Sequence, residues 1–158
     1  MSIMSELRTN RIVPRDGLPS GSSGGIIQVK QSLYSTHATY TNTDFAALSG
    51  FTCAITPTRA DSKILITLNL CVEVRSASIV AIELTRGGSE IFTNEGGMRG
   101  DGTAQGGYVS MTYLDSPAST SALTYGVQTR TSNSTYAINN YTGGGPTNSF
   151  LTLMEVSG

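Results

Sequence analysis

The sequence predicts an all-β protein: an antiparallel β-sandwich of jelly-roll type, preceded by an extended N-terminal arm. Every second residue from Ile64 to Val74 is apolar, a period of two that is typical of a half-buried strand. Gly-rich turns recur at short intervals between segments rich in Val, Ile, Thr and Tyr. Charged residues make up 13% of the chain, against about 25% in an average soluble protein. Since no helical periodicity of useful length appears, a sandwich of about eight strands is the expected architecture.

Residues 1–24 differ in composition from the rest of the 158-residue chain. They mix polar residues with a few apolar ones, and Pro14 opposes a continuous helix. Residues 17–24 are mostly Gly and Ser, which is typical of a flexible linker. We therefore predict an attachment arm with its linker at 1–24 and a β-sandwich domain at 25–158, and we expect another subunit to hold the arm.

In the first half of the domain, residues 26–33 and 51–56 are predicted strands, and residues 63–74 form the clearest one. Residues 79–85 alternate in the same way. Residues 86–89, Arg-Gly-Gly-Ser, predict a tight hairpin, because Gly-Gly permits the positive φ angles of primed turns. Residues 90–93 are its returning strand.

In the second half, residues 96–107 are so rich in glycine that a long surface loop is predicted. Residues 108–114 form the next strand, which a turn at 115–117 ends. We predict that residues 122–130 and 135–139 pair with each other around a turn at 131–134. Residues 150–156 close the fold.

The composition argues against several classes of protein. A net charge of −1 with only two lysines argues against nucleic-acid binding, which needs clustered cations. No apolar run reaches the roughly 18 residues of a membrane span, and the N-terminus lacks the apolar core of a signal peptide. We therefore expect synthesis in a reducing cytoplasm, where Cys53 and Cys71 are ordinary small buried residues.

Catalysis and metal binding have little support in the sequence. The lone His37 has no Cys or acid at ligand spacing, and the acids Asp44, Asp61, Asp101 and Asp115 occur singly in turns. We predict no catalytic residue, no metal and no cofactor. The tripeptide at 99–101, Arg-Gly-Asp, is interpreted as part of a surface loop rather than an adhesion site.

Two tyrosines in polar segments, Tyr136 and Tyr141, are candidates for surface contact with glycans, since a phenol offers an apolar face and a hydroxyl group. The alternative is that such rings cover the ends of the sandwich. A subunit interface is predicted where strands are apolar on both faces, because no helix is available to cover the second face. Its predicted residues are Ile64, Leu65, Phe150, Leu151 and Leu153.

Several segments, in this order, resemble short tail-fibre and virion structural proteins of phages that infect cyanobacteria and marine bacteria. The opening SELRTNRIVPRDG is like the opening of such proteins, and GGIIQV is similar to their first strand. The other matching segments are ITPT at 55–58, SKILI at 62–66, YLDSP at 113–117 and LTLMEV at 151–156.

This resemblance implies a homotrimeric fibre or spike located in the virion and fixed to the particle by its N-terminus. It implies that the arm contacts a tail, baseplate or capsid protein through Leu7, Arg8, Asn10, Arg11, Ile12, Val13 and Pro14. Contact with the host surface is part of the same expectation. Two alternatives stay open: a receptor-binding module for cell-surface polysaccharide, and a capsid decoration or cement protein.

Overall fold

A computed structural model describes residues 25–140 and 147–158 of the chain. In these ranges the chain forms ten strands in two antiparallel sheets packed together, and no helix, so that the predicted β-sandwich is confirmed. The strands are β1 (Ile26–Tyr34), β2 (Ala38–Tyr40), β3 (Ala46–Ile55), β4 (Lys63–Val74), β5 (Ile79–Arg86), β6 (Ser89–Arg99), β7 (Gln105–Asp115), β8 (Leu123–Thr131), β9 (Tyr136–Ile138) and β10 (Ser149–Val156).

Sheet A is organised around β4, its longest strand. On one edge of β4, β7 pairs along residues 64–74. On the other edge two strands lie end to end, with β10 beside residues 63–69 and β9 beside residues 72–74. The outer strands follow the same division, because β1 pairs with β10 and β2 pairs with β9.

Sheet B has four strands in the order β3-β8-β5-β6. The β5–β6 hairpin turns at Gly87 and Gly88, whose φ angles are +59° and +84°, as the Gly-Gly pair predicted. In β3 the register shifts between Ala47 and Thr52, where four residues of β3 oppose a single residue of β8. This bulge turns Leu48 and Phe51 into the core, where both are buried.

The hydrophobic core lies between the two sheets. The alternate residues of β4 from Ile64 to Val74 are all 0% exposed, and they face buried residues of sheet B such as Ile82 and Val127. Full burial of one such side chain contributes about 1.5–3 kcal/mol to stability. The period-two pattern of β4 therefore supplies one continuous row of the core.

A buried polar joint connects the strands of sheet A where β9 ends and β10 begins. The Asn139 amide donates to the carbonyls of Tyr34 (2.8 Å) and Thr36 (3.2 Å), and its oxygen accepts from Ser149 Oγ at 2.7 Å. Ser149 Oγ in turn accepts from the backbone N–H of Cys71 at 2.9 Å. These side chains satisfy backbone groups that the interrupted ladder leaves without a strand partner.

Two sequence predictions about the second half of the domain are wrong. The loop predicted at 96–107 is much shorter, because β6 continues to Arg99 and β7 begins at Gln105. Residues 122–130 and 135–139 do not pair with each other, because β8 lies in sheet B between β3 and β5 whereas β9 lies in sheet A. The chain crosses from sheet B to sheet A at this turn, so the strand before it and the strand after it pair with different neighbours.

Candidate assembly surface

The side of sheet A that points away from the core carries side chains in rows across its strands. Residues such as Ile66 and Leu68 point into the core, so that their neighbours Leu65 and Thr67 point outward. We call this side the sheet-A face and define it by three rows that the strand register aligns. The rows are Val29, Met154, Leu65 and Leu114; Gln31, Thr152, Thr67 and Thr112; and Leu33, Phe150, Asn69 and Ser110.

The large apolar side chains that are exposed in the described part of the chain all belong to β1 and β7, at the two ends of the run β1-β10-β4-β7 in sheet A. On β1 they are Ile26 (56% exposed), Val29 (53%) and Leu33 (57%). On β7 they are Tyr108 (54%) and Leu114 (48%). Scattered exposed apolar residues are normal on a protein surface, but their concentration along one sheet is typical of an interaction surface.

The three rows of the sheet-A face contain no charged residue. On the same side of β4, Lys63 lies before the rows and Glu73, which is paired with Arg75, lies beyond them. Polar groups within the rows bond to each other: Gln31 Nε2 donates to Thr152 Oγ1 at 2.9 Å, and Ser110 Oγ donates to Asn69 Oδ1 at 2.6 Å. Covering these paired groups costs less desolvation than covering unpaired polar groups would.

The outward side of sheet B differs from the sheet-A face in its charge. Arg130 donates to Glu95 at 2.6 Å, and its guanidinium carbon lies 5.0 Å from the centre of the Phe45 ring. Burial and the carboxylates of Glu90 and Glu95 raise the pKa of Glu83 on the same side. The outward side of sheet B therefore carries charged side chains, whereas the three rows of the sheet-A face carry none.

The structure divides the predicted interface residues into two groups. Leu65 and Phe150 lie on the sheet-A face and are half-buried. Ile64, Leu151 and Leu153 are 0% exposed and belong to the core, so their assignment to a subunit interface is wrong. The physical reason is parity: they point inward between the sheets, where sheet B already covers them.

The face contains residues that the sequence prediction missed, above all Val29, Leu33 and Leu114. Leu33 and Leu114 each stand next to a buried residue of the opposite parity, Tyr34 and Asp115, whereas Val29 lies between Gln28 and Lys30, which are not buried. The sequence gives a parity signal for the first two only. Alternation divides the residues of a strand into two sets that point to opposite sides of the sheet. Only the position of the second sheet shows which of the two sets is buried in the core.

Tyr136 is not a surface residue, so its predicted role in glycan contact is wrong. Its ring is 0% exposed and stacks on Tyr40 with 5.5 Å between centres. Its hydroxyl group lies 2.8 Å from Thr129 Oγ1 and donates to Asn42 Oδ1 at 2.9 Å. The alternative that such rings close the end of the sandwich fits this residue.

Two groups of predicted residues lie outside the described residues: Tyr141 and the arm residues of 1–24. The other singled-out positions are described. His37 and Asp101 are exposed, and Cys53 and Cys71 are free and buried, as predicted for the cysteines.

The buried acids of the sandwich are bonded in ways that stabilise the fold. Asp115 Oδ2 accepts from Arg86 Nη1 at 2.6 Å and from the Tyr125 hydroxyl at 2.7 Å, which connects β7 of sheet A to β5 and β8 of sheet B. Burial, followed by the hydrogen bond to Asp115, raises the pKa of the Tyr125 phenol. These contacts connect the two sheets through a buried ion pair and a buried hydroxyl group.

Glu155 is a second buried acid, at 0% exposure in β10. It accepts hydrogen bonds from Gln28 Nε2 at 2.6 Å, from the Thr58 N–H at 2.7 Å and from Thr58 Oγ1 at 2.8 Å. Burial alone would raise the pKa of Glu155, but these hydrogen bonds outweigh it and hold the pKa below its usual value. Its role is to fix the segment between β3 and β4 to the end of β10.

Comparison with known proteins adds no assignment, since no protein-family model matches the sequence and no curated protein is significantly similar to it. Within residues 25–140 and 147–158, no three His, Cys, Asp or Glu side chains gather closely enough to hold a metal ion. The same residues contain no helix long and apolar enough to cross a membrane. The chemistry that the sheet-A face offers is that of uncharged rows in which apolar side chains stand beside hydroxyl and amide groups.

Proposed function

We propose that this protein is a structural component of a bacteriophage particle, a short tail fibre or spike that is fixed by residues 1–24 and acts by assembly rather than catalysis. The observation that carries the proposal is the sheet-A face. Its three rows contain no charged residue and half of their side chains are apolar, whereas the opposite side of the sandwich carries Glu83, Glu95 and Arg130. A module with one charged and one uncharged outward side is suited to an assembly in which the charged side faces solvent and the other side contacts a partner.

The resemblance of residues 5–17 and of several strand segments to phage fibre proteins supports the same proposal from a different direction. The strand orders are favourable too. Sheet A contains the run β1-β10-β4-β7 and sheet B the run β3-β8-β5-β6, which we interpret as a jelly-roll connectivity. Jelly rolls are frequent in virus particles. The trimer is taken from the resemblance to fibre proteins.

The proposal is tested on purified phage particles that contain the protein. We expect gold-labelled antibodies against residues 25–158 to bind the tail region, and quantitative mass spectrometry to give a small copy number per particle that is divisible by three. A copy number that follows the capsid lattice would favour a cement protein instead. Absence from washed particles, under conditions that retain a known tail protein, would contradict the proposal.

A further inference from the structure

We propose that the outward side of sheet B binds one neutral sugar ring, of the hexose class, in a small pocket over Gly126. The pocket has a volume of about 140 Å³ and lies where β3, β8 and β5 are adjacent. Tyr125 and Val127, the neighbours of Gly126 in β8, point into the core, so position 126 faces outward. Because the pocket is on the side opposite the sheet-A face, it stays accessible when a partner contacts that face. Sugar binding goes beyond the assembly role proposed above, and either can fail without the other.

Two features of the strands form the pocket. The register places Gly126 between Thr52 of β3 and Thr85 of β5, so a residue without a side chain interrupts this outward row. Beside it is the bulge where four residues of β3 oppose a single residue of β8, and the pocket is lined there by the apolar side chains of Leu48 and Phe51. The pocket therefore combines apolar groups from the core with polar groups from the outer surface.

The polar side chains that line the pocket have no hydrogen-bond partner among the described residues. They are Thr52, Thr85, Thr124 and Gln128. Thr85 is the most informative of them, because it is only 4% exposed and has little access to water outside the pocket. A β-carbon at position 126 would lie 3.0 Å from Thr85 Oγ1, so this hydroxyl group is at the pocket. A buried hydroxyl group without a partner is costly, and a ligand that bonds to it removes that cost.

The chemistry and size of the pocket identify the class of its ligand. Threonine hydroxyl groups and a glutamine amide both donate and accept hydrogen bonds, as the hydroxyl groups of a sugar do, and the apolar groups suit the C–H groups of its ring. An engineered apolar cavity of about 150 Å³ holds one benzene molecule, so this pocket has room for one six-membered ring. The acidic side chains of Glu83 and Glu90 stand opposite Gln128 and Thr85 in the next strand positions, which disfavours an anionic sugar.

Saturation-transfer difference NMR on the full-length protein tests binding. The neutral probes are methyl α-glucopyranoside, methyl α-galactopyranoside and methyl α-mannopyranoside. We expect at least one of them to bind with a dissociation constant in the millimolar range, because a single ring makes few contacts. The uronic acid that corresponds to the bound probe should bind more weakly. Absence of binding by all three neutral probes at tens of millimolar would overturn the site, and a uronic acid that binds equally well or better would overturn its preference for a neutral ring.

Two variants test whether the sugar binds at this pocket. Gly126→Ala places a methyl group in the pocket, 3.0 Å from Thr85 Oγ1 and 3.6 Å or more from other atoms, and is expected to abolish binding. Thr85→Val keeps the shape of the side chain but removes the hydroxyl group, and should weaken binding by about two- to tenfold, the loss expected for one hydrogen bond.

Thr67→Val makes the same change on the outward side of sheet A and is the matched control, expected to keep the wild-type dissociation constant. Circular dichroism checks that each variant is folded, and if Gly126→Ala does not fold, Thr85→Val decides alone. Unchanged binding in either folded variant, or an equal loss in Thr67→Val, would overturn the assignment of the sugar to this pocket. Detection of the protein in phage particles remains the separate test of the proposed function.

Discussion

At the scale of single residues, the hydrogen bonds of Glu155 make an acid-sensitive contribution to stability. A carboxylate whose pKa is lowered by folding stabilises the protein above its unfolded pKa, about 4.3, and this contribution is lost as the pH falls through the folded value. Glu155→Gln removes the charge and turns one acceptor into a donor that faces existing donors. We expect the variant to lose about 1–3 kcal/mol of unfolding free energy at pH 7.

The measurement is urea unfolding at pH 7 and again near pH 3. The difference between Glu155→Gln and the wild type should shrink at the lower pH, because the wild-type carboxylate then becomes protonated. Glu95→Gln is the control, since its exposed ion pair with Arg130 contributes less than about 1 kcal/mol. Equal stability of Glu155→Gln and the wild type at pH 7 would contradict the assigned role of these bonds.

In the Arg-Gly-Asp segment at 99–101, substitutions at neighbouring residues are expected to have very different effects on stability. Asp101 is exposed and its carboxylate accepts from the N–H and hydroxyl groups of Thr103 within the same surface segment, so Asp101→Ala should change stability by less than about 0.5 kcal/mol. Gly100 is buried, and a β-carbon there would overlap the carbonyl oxygen of Ser76. Gly100→Ala should therefore cost about 1–3 kcal/mol. Thermal unfolding of the two variants measures both losses of stability. A larger loss in Asp101→Ala than in Gly100→Ala would contradict the exposed position of Asp101 and the close packing of Gly100.

At the scale of strands, the sequence predicts elements well where their residues alternate and poorly where partners are distant. The bounds of β4 are predicted to the residue, because one unbroken parity extends over its length. β2 has only three residues and no pattern to detect, and glycines conceal the end of β6 and the start of β7. The wrong pairing of β8 with β9 has another cause: a short turn favours a hairpin, and only the tertiary fold shows the crossing between sheets.

The joint between β9 and β10 gives the prediction that belongs to this scale. Asn139 has a positive φ of +55°, and it holds three strand ends through its amide. Asn139→Gly keeps the backbone angle at no steric cost but removes the hydrogen bonds, whereas Asn139→Ala removes the bonds and strains the backbone as well. We expect glycine to cost about 1–3 kcal/mol and alanine more.

Asn140→Ala, at the exposed neighbouring position, should stay within about 0.5 kcal/mol of the wild type. Denaturant midpoints of the three variants give the comparison. If Asn139→Gly were as stable as the wild type, asparagine would contribute only through its tolerance of a positive φ angle. The hydrogen bonds of its side chain would then not stabilise the joint.

At the scale of the whole molecule, the sequence predicted a subunit interface on strands that are apolar on both sides, but it assigned some of the wrong residues to that interface. Strands that are apolar on both sides need cover on both sides, and β4 and β10 meet that condition. The prediction of Ile64, Leu151 and Leu153 as interface was wrong because their side is covered by sheet B. Leu65 and Phe150 stay predicted interface residues. The rows of the sheet-A face could not be predicted, because they depend on the pairing and register of β1, β10, β4 and β7, which the sequence alone does not specify.

An uncharged interface predicts how assembly responds to salt and temperature. Salt screens the attraction between charged groups, with a Debye length that falls from about 10 Å at 0.1 M to about 3 Å at 1 M. Because the rows of the sheet-A face contain no charge, raising sodium chloride from about 0.05 M to about 1 M should leave the assembly constant unchanged or slightly stronger. Apolar contacts also weaken on cooling, so assembly should be weaker near 5 °C than near 30 °C.

Sedimentation equilibrium of the full-length protein under these conditions measures both responses. The Arg130–Glu95 ion pair supplies an internal contrast: Arg130→Gln removes a charge from the outward side of sheet B and should leave the salt response flat. Dissociation at high salt would show that ion pairs hold the copies together. That result would move the contact from the sheet-A face to charged parts of the chain, such as residues 1–24. A flat salt response with weakening on cooling is what the uncharged apolar rows predict.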